Sequence, residues 1–465
     1  MSLTPEQAVE VALAAARRLG SDDAVAVVEH EGSTNLRWAA NQLTTGGTTA
    51  ESSLSVAVVR DVPGGRALGS LTRAVTDAAD VERLVADALA ETAGARPAED
   101  GAALVPGPAG SGFAEPATPV PPEALTGTAA VLGELFAEAD GEGRELFGFA
   151  EHTVTTTWTA TSAGTRHRSV EPYGTVELNG KSHARSRSAW AGTGARDLGR
   201  DVDLRALAAE VAQGLEWQAR RVEVLPGRHE TVLSPSAAAD LLAYWLLSGD
   251  ARSAAEGRTA FSRPGGGTRV GERLTDVPLT VRDDPHHPVL GTSDVVSATS
   301  SDAFTSVFDT GLAVPGTRYL DAGLLAALPS SRHTAGLAGL AHTPFADNVV
   351  VEVDGATGAT ADVVAGVDRG LLVTCLWYVR VVDEQTLLVT GLTRDGVYVV
   401  EGGEVVGSTT NFRFNDSPHS LLSRVLGAGG TGVCLPRELG DWLPRAAAPA
   451  LRVADLHMSS VSEAS

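Results

Sequence analysis

Residues 370–415, GLLVTCLWYVRVVDEQTLLVTGLTRDGVYVVEGGEVVGSTTNFRFN, decide the fold class. LLVTCLWYV and QTLLVTGL are rich in Val, Leu, Thr and aromatics, which suit a pleated and packed surface. Arg394-Asp395-Gly396 and Glu401-Gly402-Gly403 interrupt the runs with turn chemistry, so VYVVE and EVVG are expected to pair as a hairpin. The stretch therefore reads as consecutive strands on which the rest of the chain must dock. It contains no catalytic constellation of its own.

Working outward, the chain has 465 residues, enough for two or three domains of roughly 100–200 residues each. Hydrophobic residues make up 43%, which excludes wholesale disorder. The 51 glycines and 23 prolines favour a turn-rich, β-heavy architecture. The net charge of −22 argues against binding nucleic acid or an anionic membrane. The two cysteines, Cys375 and Cys434, cannot build a disulfide framework and read as reduced thiols. No run approaches the ~18 apolar residues of a membrane span. The start of the chain reads as an amphipathic helix rather than a signal peptide, so a cytoplasmic protein is expected.

Thr4, Pro5 and Gln7 form a capping box with proline at the first helical position. Strand-like runs follow (DAVAVVEHEG, STNLRWAANQL, SLSVAVVRD), then a second amphipathic helix through Val81, Leu84, Val85 and Ala88. Residues 1–93 are expected to form an N-terminal α+β domain, and 94–122, without periodicity, a linker or surface excursion. A helix from Pro122 to Ala139, three or four Thr-rich strands and a helix from Asp201 to Arg220 make residues 123–225 a middle α+β domain. Residues 226–465 are the β-rich C-terminal domain, with the helix SPSAAADLLAYWLLSGD near its start and SPHSLLSRVLG as its last helix. The fold class is α+β: an N-terminal helix and antiparallel-sheet region followed by a large β-rich C-terminal domain.

Most motif matches fail on spacing or context. Gly174–Ser182 (GTVELNGKS) is one residue too long for a phosphate-binding loop and strand-like inside. Gly427, Gly429 and Gly432 fit GxGxxG, but a helix precedes them and a short strand follows, the reverse of a dinucleotide fold. No G-x-S-x-G nucleophile elbow occurs. His30-Glu31 and His229-Glu230 lack a second histidine at helical spacing. His286-His287 and Asp283-Asp284 read as turns. His333, His342 and Cys434 are the nearest approach to a metal set, but ordinary loop histidines are the simpler reading. Cys375 is expected in a strand core and Cys434, between glycine-rich turns, exposed; neither has a neighbour that would activate a thiol.

Several segments in order carry a family resemblance: STNLRWAANQLTT after the first helix, DVERLVADALAETA, the stretch from Asp368 to Pro418, then LPRELGDWLP and ALRVADLHMSS. On these the whole chain resembles the TldD/PmbA family, in its TldE (PmbA) branch of actinobacterial type. The resemblance implies a two-subunit metallopeptidase that processes peptides and small proteins. The TldD-like partner would hold zinc through an H-E-x-x-x-H helix and a cysteine near its C-terminus. Here the corresponding helix has no histidine, so no catalytic or metal residue is assigned to this chain. It is expected to bind no cofactor, and Cys434 stands at a relict ligand position. Arg394, Asn411 and Arg413 are the residues expected to face a peptide or the partner. The alternatives are a free-standing hydrolase pairing Cys434 with a His, or a homodimeric binding or scaffold protein.

Overall fold

The computed structural model describes residues 3–121 and 123–462. Its first sheet has six strands, each antiparallel to its neighbours. In spatial order they are Gly65–Arg73, Gln42–Val62, Asp23–Ala39, Arg144–Thr161, Arg166–Ser182 and Arg187–Ala195. Strand alternation sorts the side chains onto two faces. One face, carrying Val28, Leu54, Val56, Trp158, Ala150, Val176 and Leu178, is apolar. It packs the helices Pro5–Arg18, Ala78–Glu91, Thr126–Gly141 and Leu204–Trp217. The opposite face carries Glu29, Glu31, Ser53, Glu151, Thr153, Thr155, Glu171 and Glu177 and turns toward the C-terminal domain.

This arrangement corrects the expected division between 1–93 and 123–225. Asp23–Ala39 pairs with Arg144–Thr161 over fourteen register positions, from Val25↔Thr161 to Trp38↔Gly148, so both pieces build one sheet. The reason is edge burial: a three-stranded sheet ending at Asp23–Ala39 would leave a long open edge. The stretch between them crosses this sheet without regular structure, and its Leu104 packs with Val25, Val27, Val307 and Phe308. DAVAVVEHEG and STNLRWAANQL form one strand, and the chain reverses at Ala40 and Asn41, both left-handed (φ 48° and 61°). The expected helix start at Pro122 lies outside the described residues; the helix itself is Thr126–Gly141.

The C-terminal domain holds a nine-stranded sheet and a second six-stranded sheet. The helix Pro235–Leu247 is enclosed in the core they share, among Val281, Val349, Ala446, Leu371 and Val389. The quoted stretch does form strands, and Val397–Glu401 pairs with Glu404–Ser408 as the expected hairpin. LLVTCLWYV, however, is two strands. Arg369–Val373 sits beside Gly227–Leu233 near the middle of the sheet, whereas Leu376–Asp383 is its edge strand. Cys375 lies fully buried between them. SPHSLLSRVLG supplies only the one-turn helix Pro418–Leu421, a 3-10 turn and the strand Val425–Ala428, so Gly427 lies in a strand and Gly429 and Gly432 follow it.

The helix Ala78–Glu91 lies close against the first sheet at Gly69. A Cβ there would stand 2.0 Å from the carbonyl oxygen of Ala88. Gly69→Ala must push the helix Ala78–Glu91 off the sheet and is expected to cost about 1–3 kcal/mol. Gly47→Ala, which meets nothing within 4 Å, is expected to change stability little. Chemical-denaturation midpoints of the two variants check this.

Candidate functional site

The strand Gly227–Leu233 leads straight into the helix Pro235–Leu247. Ser234 caps that helix by accepting the amide of Ala237, and Pro235 occupies its first turn. Because the helix is buried on nearly all sides, its sequence is Ala and Leu on every face. Asp240 is its one ionisable acid and is 0% exposed. The Asp240 carboxylate accepts the backbone amides of Arg437 (3.1 Å), Glu438 (3.1 and 3.2 Å) and Leu439 (3.1 Å). Ser236 Oγ donates to the carbonyl of Leu435 at 2.6 Å, so two side chains one helical turn apart hold the same loop. Burial pushes the Asp240 carboxyl up to about 7, against the pull of the three amides.

The loop passes the restraint on. The Glu438 carboxylate accepts the amides of Tyr378 (2.8 Å) and Val379 (3.0 Å) and the Arg380 guanidinium (2.8 Å). These three residues form an irregularity in the edge strand Leu376–Asp383, where Tyr378 is left-handed (φ 52°) and its ring points to solvent. A chain of carboxylate–amide contacts thus runs from the buried helix to the sheet edge.

Cys434 begins the same loop. It is buried, not exposed as expected, because the strand Gly432–Cys434, at the edge of the second sheet beside Ala446–Ala448, packs its end into the core around the helix Pro235–Leu247. Its Sγ donates to the carbonyl of Pro235 at 3.6 Å. Burial, reinforced by the Asp240 charge, pushes the thiol up to about 12 and favours its protonated form at neutral pH. A zinc ion does not fit this set: the thiol stands alone, the nearby carboxylate is spent on three amides and the helix has no imidazole. Among the described residues no three His, Cys, Asp or Glu side chains are grouped to hold a metal ion. His342 instead stands 3.6 Å from Asp309, and His287 Nδ1 accepts the amides of Val289 and Leu290.

The loop also walls a cleft of about 510 Å³ against the polar face of the first sheet, lined by Glu31, Glu151, Glu177, Trp377, Arg437 and Arg445. Arg437 stacks 4.3 Å from the Trp377 ring and 5.4 Å from the Trp190 ring, and pairs with Glu177 at 3.3 Å. A second cleft of about 510 Å³ lies along the same face, lined by Glu29, Thr155, Glu171, His342 and Asp347. A pillar on that face contacts the first cleft: Tyr173 donates to the carbonyl of Pro444 at 3.0 Å, with Arg445 4.3 Å over its ring. Protein enclosure raises the carboxyls of Glu29, Glu151 and Glu171, with Glu31 adding repulsion at the first two. Asp347 is pushed up to about 6 in the same way.

Arg394 lies 5.5 Å over the Trp377 ring, behind the cleft wall. Trp377, Leu392 and Arg413 stand opposite one another across three strands, so their side chains share a face. Arg413 is exposed and donates to Thr390 Oγ1 at 3.3 Å; Asn411 opens the same strand, opposite Ser462. Sequence reading passed over Asp240, although a lone carboxylate in an apolar helix was its signal. It also took Asp283 for a turn. Asp283 is buried, accepts from the Thr317 and Ala346 amides and the Tyr319 hydroxyl, and is pushed up to about 6 by burial.

A family profile described as the PmbA/TldA metallopeptidase C-terminal domain matches residues 226–460. No curated protein sequence matches the chain. Solved structures that share its fold include the following three. TldE from Thermococcus kodakarensis superposes with a TM-score of 0.78 at 16% identity, covering 97% of this chain and 100% of that one. A putative modulator of DNA gyrase from Bacteroides thetaiotaomicron gives 0.76 at 15% identity, covering 98% and 99%. Another from Thermotoga maritima gives 0.74 at 16% identity, covering 97% and 99%.

Asp240 titrates far above the ordinary carboxyl value of 3.8, so the folded state holds its proton more tightly than the unfolded chain. Its contribution to stability is full below about pH 4 and is lost as pH rises through about 7. Asp240→Asn is expected to remove that dependence, up to about 1.4 kcal/mol per pH unit inside the window. Denaturation midpoints of both proteins at several pH values from 4 to 8 measure it.

Proposed function

The chain belongs to the TldD/PmbA family of metallopeptidases, and on that premise we propose that it is a TldE-like subunit that contributes no zinc site to a two-chain peptidase. The carrying observation is the occupied ligand position. Where a catalytic member would need imidazoles beside its cysteine, this chain has a helix without histidine, a Cys434 thiol bonded to a backbone carbonyl and an Asp240 carboxylate bound by three amides. Such a helix is a structural strut. The chain's fold is also that of TldE from Thermococcus kodakarensis.

In this reading a TldD-like paralogue with an H-E-x-x-x-H helix supplies zinc and the hydrolytic chemistry. The present chain completes the peptide path, in the cytoplasm, for peptides or unfolded proteins. Arg394, Asn411 and Arg413 lie along the sheet face beyond Trp377 and would meet peptide or partner there. The thiol hydrolase alternative loses its nucleophile, because burial keeps Cys434 protonated and its hydrogen bond goes to a carbonyl rather than an imidazole. No covalent or metal-centred step is assigned to this chain.

Co-expression with the histidine-bearing paralogue tests the proposal. The two chains are expected to co-purify, with peptide cleavage and zinc in the complex and neither in this chain alone. Stoichiometric zinc together with unaided cleavage by the isolated chain would reverse the assignment.

A further inference from the structure

We propose that the free edge of the first sheet, residues 43–53, takes up a cationic, extended polypeptide segment as an added strand. This rests on the peptide-handling role above and gives it a site and a ligand chemistry. The strand Gln42–Val62 pairs with Gly65–Arg73 only from Leu54 to Val62. On the other side of Leu54 its outer edge has no partner strand among the described residues, and residues 42–52 are all exposed. Edges of this length are normally blunted by lysine or proline, or covered. LTTGGTTAESS contains neither lysine nor proline. Its outward N–H and C=O groups are available to water or to another strand, and an added strand would continue the lane of Gly65–Arg73.

Charge selects the occupant. Glu51 stands directly across from Glu31, and Glu29 directly across from Ser53, all on the face that turns toward the C-terminal domain. Like charges opposite each other in a sheet cost stability. Among the described residues no arginine, lysine or histidine forms an ion pair with Glu29, Glu31, Glu51 or Glu151. Lysine or arginine side chains on an added strand would reach this face and relieve the repulsion. Ser53, Ser55 and Glu29 also line the second cleft, so the edge leads into it. A second copy of this chain is a poor occupant: it carries a net charge of −22 and would set its own Glu51 against this one.

The test uses the whole purified chain and fluorescent peptides of about ten residues, strand-forming in length. One alternates threonine with lysine and one threonine with glutamate. Two further lysine peptides are N-methylated on alternate residues, one at each parity. The lysine peptide is expected to bind by fluorescence anisotropy and the glutamate peptide not to. Methylation at one parity should weaken binding at least about tenfold, the loss of two or three hydrogen bonds, while the other parity binds normally. The exposed double variant Glu31→Gln/Glu51→Gln should weaken lysine-peptide binding about three- to tenfold with an unchanged circular dichroism spectrum. Equal binding of both methylated forms and the parent, equal binding of lysine and glutamate peptides, or a homodimer that shuts the peptide out would overturn the proposal. Failure to associate with a zinc-bearing paralogue would remove the subunit role and leave these binding results standing.

Discussion

A carboxylate with no solvent contact holds the centre of this molecule. Asp240 reaches out of an otherwise apolar helix and gathers three consecutive amides from a loop 197–199 residues further along the chain. Removing a carboxylate from water is costly unless hydrogen bonds replace the lost solvation. The three amides do so in part, burial still raising the carboxyl, and they fix the loop's backbone while leaving its side chains free. Glu438 then restrains the edge strand, and Arg437 reaches Trp190 and Glu177 on the first sheet. Helix, loop, sheet edge and N-terminal layer are therefore tied together from one buried acid.

The same position underlies the proposal that this chain holds no zinc. A metal-binding helix must present lone pairs to an ion, and this one has committed them to backbone N–H groups. Cys434, close enough to feel the Asp240 charge, is held in its neutral form by burial. The two acidic residues near the helix, Asp240 and Glu438, accept amide hydrogen bonds and position backbone. Carboxylates used in this way hold backbone in place, which is what the proposed subunit role asks of them.

The first sheet divides its labour by face. Its apolar face is spent on four helices, so the remaining face could be left polar without loss of core. Contact with the C-terminal domain is made at points such as Tyr173 with Pro444 and Trp190 with Arg437, and water-accessible clefts remain along the face. Carboxyls such as Glu29 and Glu151 hold their protons more tightly there, because enclosure and their shared neighbour Glu31 both disfavour the charged form.

Local pattern alone determined the strands and helices with strong periodicity: the capped helix Pro5–Arg18, the hairpin Val397–Glu401 with Glu404–Ser408, and the histidine-free apolar helix Pro235–Leu247. Each depends on neighbours a few residues apart, which a sequence displays directly. Only the tertiary structure decided that Thr374 and Cys375 break one apolar run into two strands far apart in a sheet. Likewise it decided that residues 1–93 and 123–225 share a single sheet, and that Cys434 is buried. It alone set the roles of Asp240, Asp283 and Glu438, whose partners lie tens to hundreds of residues away. Burial and charge proximity are properties of the folded arrangement, and no window of sequence contains them.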